Sequence, residues 1–156
     1  MQPPLASQPH PMYQSPLPGQ TPKRSALLWA LRFASLFLVL ELFLQAMLAA
    51  LFVGGSVGLL SLHGINAFFI TVVVFLCMVL GACYRWVARG PWWPMLLGGL
   101  LWLGLFIQEI LGYTRIVPLH IFCGVLLITL CTVYCLALFR HVHAPRPCRA
   151  AAGARA

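Results

Sequence analysis

Apolar residues fill the middle of this chain in four long runs, and the interruptions between them are brief. From Phe33 to Tyr84 the one charged residue is Glu41, which leaves room for two helices of about 20 residues each and a short turn. Gly54-Gly55-Ser56 and Gly58 mark that turn. The pattern predicts helices near residues 27–53 and 62–84. Arg85, Arg89 and the breaker run Gly90-Pro91-Trp92-Trp93-Pro94 follow, with tryptophans of the kind that settle at a membrane interface. A third helix is expected near 94–112 and a fourth near 117–139, joined through Gly112-Tyr113-Thr114-Arg115. Pro118 suits the first turn of the fourth helix, where a missing N–H costs nothing. The expected fold is all-α, a four-transmembrane-helix bundle running up-down-up-down.

Composition moves the picture from long helices to lipid. The chain is 62% apolar and 8% charged, whereas a soluble domain carries about 25% charged residues. Residues 1–24 are rich in Pro, Gln and Ser and are expected to form a disordered tail; 25–140 form the membrane domain, and 141–156 a basic tail. The first apolar run exceeds the roughly 7–15 residues of a signal-peptide core, so it is expected to remain as a span. A net charge of +8 invites a nucleic-acid reading, but the basic residues stand at the ends of apolar runs and line no single face. Nine of the ten lie in the N-terminal segment, the central connection or the C-terminal tail, counting Arg32 just inside the first helix, and only Arg115 lies in either of the other two connections. The positive-inside rule then places both termini in the cytoplasm, with the chain multi-pass in the cell's inner (plasma) membrane. Arg32 is expected at the inner boundary, snorkelling to the headgroups. The six cysteines include no CxxC pair, which argues against a structural zinc site.

The polar residues that survive inside the spans repeat. Leu42-Phe43-Leu44-Gln45 matches Leu105-Phe106-Ile107-Gln108, and Leu62-His63 matches Leu119-His120. A small residue follows each histidine by four positions, Ala67 and Gly124. The four spans therefore read as two parallel copies of a two-helix unit, related by an axis along the membrane normal, with His63 and His120 at one depth near the outer face.

Two matched imidazoles on diagonal helices point to axial ligation of a haem b iron, with His63 and His120 as the metal ligands. Ala67 and Gly124, one turn deeper, leave room for a flat ring, and Arg115 at the outer boundary suits a propionate. Gln45 and Gln108 suit positions behind the histidines or an interhelical hydrogen bond. Histidines that only bond within the interface, or that bind a metal ion or a quinone, remain alternatives. Glu41 and Glu109 are costly in lipid and so are functional candidates, but they occupy unmatched positions in the two copies. No hydrolase triad, phosphate loop, dinucleotide fingerprint or HExxH motif occurs.

Gln45, Gln108, His63 and His120, within residues 35–139, resemble the pattern of an uncharacterised bacterial family of four-span membrane proteins. That family has a Gln near the outer end of helices 1 and 3 and a His opening helices 2 and 4. More distantly, the arrangement resembles one half of haem A synthase and the small b-type cytochromes. Haem A synthase has a Glu three residues before a ligand histidine, where this chain has Leu60 and Val117, so haem oxidation is not implied. The resemblance implies a haem-holding bundle, an electron carrier or sensor rather than an enzyme. Its partners would be the lipid bilayer and either a redox protein or a second copy. The competing expectations are a cofactor-free accessory subunit and a proton-coupled transporter using Glu41 and Glu109.

Overall fold

A computed structural model describes residues 22–140 and contains four helices: α1 (Pro22–Val53), α2 (Leu59–Trp86), α3 (Trp93–Tyr113) and α4 (Val117–Arg140). The expected tail regions lie outside the described residues, except that α1 opens at Pro22, inside the last three residues of the first. Each helix is long and apolar enough to cross a membrane. The shortest, α3, has 21 residues and reaches about 31 Å at 1.5 Å per residue, matching a hydrocarbon core of about 30 Å. The chain is a multi-pass membrane protein. Large apolar side chains such as Phe33, Phe43, Phe68 and Phe122 face outward, as a lipid solvent requires.

Neighbours in sequence are neighbours in space. α1 packs on α2, α2 on α3, α3 on α4, and α4 closes the ring on α1, so α2 and α4 stand diagonally. The two-helix repeat is written in the buried positions. Aligned on the Gln and His pairs, Leu38 coincides with Leu101, Leu42 with Leu105, and Leu48 with Leu111. On the second helix of each copy, Ile70 coincides with Leu127, Val74 with Cys131, and Cys77 with Tyr134. A void of about 10 Å³ at the centre is lined by Leu38, Leu42, Ile70, Val74, Leu101, Leu105 and Leu127, three matched pairs and Val74.

Two glycines let the backbones of α2 and α3 approach closely. A Cβ on Gly81 would stand 3.0 Å from Cα and N of Met95, and one on Gly98 would stand 3.1 Å from Cα of Met78. Without a hydrophobic driving force between helices in lipid, such small residues let backbones meet and gain dispersion.

Arg32 departs from expectation. It is 3% exposed and turns inward instead of reaching for headgroups. Its Nε donates to the carbonyl of Leu138 at 3.1 Å, in the last turn of α4, where carbonyls lack helical partners. The guanidinium lies over Trp29 and Phe139, 4.8 and 5.1 Å from their ring centres. A cation at the negative end of the α4 dipole ties the first and last helices together.

Candidate functional site

Each histidine sits in the first two turns of its helix, and each is gripped by the glutamine of the preceding helix. In the first copy, Gln45 Nε2 donates to the backbone carbonyl of His63 at 3.0 Å, and His63 Nδ1 meets the backbone carbonyl of Gln45 at 3.3 Å. In the second, Gln108 Nε2 donates to the carbonyl of His120 at 2.7 Å, and His120 Nδ1 meets the carbonyl of Gln108 at 3.0 Å. A carbonyl can only accept. Both imidazoles therefore carry their proton on Nδ1, and both keep a lone pair on Nε2, the form in which an imidazole binds a metal.

The two rings come together. Their centroids are 6.3 Å apart, with planes inclined at 64°. The matched residues thus converge from diagonal helices, and they do so two turns, roughly 10 Å, above the central void.

Around this shared plan the copies differ. In the first, Asn66 Nδ2 donates to Gln45 Oε1 at 3.0 Å and to the carbonyl of Glu41 at 3.2 Å. The second N–H of the Gln45 amide meets His63 Nε2 at 3.1 Å. Every amide proton in that copy has an acceptor. In the second copy Cys123 stands where Asn66 stands in the first. Gln108 Oε1 is buried without a hydrogen-bond partner among the described residues, and His120 Nε2 has none there either. Asn66 was not singled out from the sequence, because a search for matched polar positions passes over a residue whose counterpart is a cysteine.

The small residues have identifiable occupants. A Cβ on Gly124 would lie 3.1 Å from Gln108 Nε2, and one on Gly112 would lie 3.1 Å from Cε1 of His120. Gly124 thus makes room for the glutamine amide, and Gly112 for the imidazole. Ala67, half-buried, offers its carbonyl to the Thr71 hydroxyl at 3.0 Å. Arg115 is exposed in the connection that precedes α4, with φ of 57°, and its backbone N–H closes a turn on Gly112.

The carboxylates do not meet. Glu109 is tied to the Thr71 hydroxyl across the α2–α3 contact. The Glu41 side chain is half-buried on α1, and only its backbone carbonyl joins the Asn66 network. Among the described residues no group of three or more His, Cys, Asp and Glu is disposed to hold a metal ion.

Comparison with protein families, with curated proteins and with solved structures finds no match to this chain. The class is therefore defined by the fold itself, a four-span integral membrane protein. The site is defined by its two Gln–His pairs.

Proposed function

We propose that the chain is a small haem b protein in which His63 and His120 share one iron. The observation that carries this reading is the ring pair itself. A metal bound at about 2.0–2.1 Å from Nε2 of each imidazole holds two opposed ring centres roughly 6 Å apart, and the centroids lie 6.3 Å apart. The Nδ1–carbonyl bonds orient both rings and raise their basicity toward a metal. Two imidazoles are too few donors for a bare transition ion, and no third His, Cys, Asp or Glu joins them among the described residues. A metal that brings four equatorial nitrogens of its own answers that shortage, which favours a tetrapyrrole over a free ion.

The ring spacing supports the reading; the packing around the rings does not fit a macrocycle as it stands, since the His63 Nε2 lone pair meets the Gln45 amide at 3.1 Å. The central void of about 10 Å³ lies below the histidines and the Gln45 and Gln108 amides occupy the space at their level, so a macrocycle would require the helices to part there. Arg115, at the same end of the bundle, is the cation available to a propionate. Held by both histidines, a haem would supply one-electron exchange and no substrate position, which suits a carrier or a sensor, with a redox protein or a second copy as partner. The nine basic residues outside the α3–α4 connection favour cytoplasmic termini and a site at the outer face of the inner membrane.

Visible spectra of protein purified from haem-replete cells, oxidised and then reduced with dithionite, test this directly. Low-spin bands that sharpen on reduction are expected in the wild type and are expected to vanish in both His63→Ala and His120→Ala. A colourless preparation, or low-spin bands that persist in either variant, contradicts the reading.

A further inference from the structure

We infer that the α1–α4 seam, at the end of the bundle where α1 begins and α4 ends, seats the phosphate of one anionic phospholipid on Arg32. The inference is independent of the haem reading and concerns the opposite end of the bundle from the histidines.

Depth sets the class of ligand. Hydrocarbon is crossed by about 20 residues of helix. Measured back from Val53, α1 leaves it near residue 34, and measured forward from Val117, α4 leaves it near residue 136. Arg32 and its acceptor, the Leu138 carbonyl at 3.1 Å, therefore stand at the level of the lipid phosphates. The guanidinium spends Nε on that carbonyl, while Nη2 is buried without a hydrogen-bond partner among the described residues. A buried cation with an unused donor is costly, and the chain has no carboxylate side chain at this end to offset it. Its two acidic residues are Glu41 and Glu109. Glu41 lies about 13 Å deeper along α1, and Glu109 lies near the far end of α3.

The seam faces the bilayer, so no cavity inside the bundle is needed. Trp29 and Phe139, edge to face with ring centres 6.5 Å apart, lie 4.8 and 5.1 Å over the guanidinium, and both are exposed at the lipid-facing surface. Rotation of either ring opens the seam without parting the helices, and a phosphate oxygen then accepts from Nη2 in a charge-assisted hydrogen bond. Arg140, exposed on the last turn of α4 just beyond Leu138, adds a second cation at the mouth. A choline headgroup would bring its own cation to this pair. The site therefore favours a headgroup of net negative charge, such as phosphatidylglycerol.

Titration of the purified full chain in detergent with phosphatidylglycerol or phosphatidylcholine, read as lipid adducts by native mass spectrometry, tests the site. The wild type is expected to bind one phosphatidylglycerol about fivefold more tightly than phosphatidylcholine, and Arg32→Met is expected to lose that preference. Arg89→Gln removes an exposed cation at the same end of the bundle, but in the α2–α3 connection across from the seam, and is expected to keep it. Where Arg32→Met does not fold, Arg140→Gln removes the cation at the mouth and carries the same expectation. Excess inorganic phosphate at constant ionic strength is expected to leave the lipid bound. Equal affinity for the two lipids in the wild type overturns the inference, as does a preference that survives loss of the seam cation. An equal loss in Arg89→Gln overturns it by showing diffuse attraction to the whole basic end. Displacement by inorganic phosphate overturns it in favour of a free anion.

Discussion

Under the proposed haem function, His120→Ala is expected to purify as a folded four-helix protein that retains about tenfold less haem, or less still, than the wild type. The substitution removes the imidazole whose Nε2 has no competing hydrogen bond. The one left is the imidazole whose lone pair the Gln45 amide can claim at 3.1 Å. Little else should change. The Gln108 amide bonds to the backbone carbonyl of His120, which alanine retains, so the α3–α4 tie at 2.7 Å survives. A pyridine haemochrome assay against protein concentration, with helicity checked by circular dichroism, measures both halves of this expectation. Loss of helicity together with the haem would mean that the ring is a packing element first.

Gly81→Val is expected to have the largest effect on stability. The added Cβ would meet Met95 Cα and N at 3.0 Å and the carbonyl carbon of Pro94 at 3.1 Å. Those are backbone atoms of α3, so no rotamer change relieves the contact, and α2 and α3 must separate. Overpacking of this kind costs about 1–3 kcal/mol. For a chain of this length, each kcal/mol lowers the unfolding midpoint by roughly 2–4 °C. Thermal unfolding in detergent of Gly81→Val beside Gly99→Ala makes the measurement. The second substitution adds a Cβ to a glycine with open space around it, so its midpoint is expected to hold.

The spans and the repeat were legible because both depend on pattern. Four apolar runs broken by glycine, proline and tryptophan announced four helices, although α1 begins at Pro22, earlier than the expected start near residue 27. The Gln and His matches announced two copies, and the buried Leu38/Leu101, Leu42/Leu105 and Ile70/Leu127 pairs repeat the same register. Contacts between helices were not legible, since helix register is set by packing that no single helix encodes. The partner of Arg32 is a carbonyl 106 positions away. Glu109 reaches Thr71 across 38 positions, and neither residue carries a mark of the other in its own helix. Gly124 suggested space for a ring, yet its neighbour is the Gln108 amide. Asn66 went unnoticed for the opposite reason. It is the residue that makes the copies differ, and a reading built on likeness has no place for it.

The proposed function requires one atom to be held by two imidazoles. Electron paramagnetic resonance of the frozen ferric protein, prepared with and without nitrogen-15 in its histidines, addresses that most directly. A low-spin signal whose hyperfine couplings change as two coordinated imidazole nitrogens require is the predicted result. Coupling to a single imidazole, or no haem signal from protein made in haem-replete cells, would contradict it.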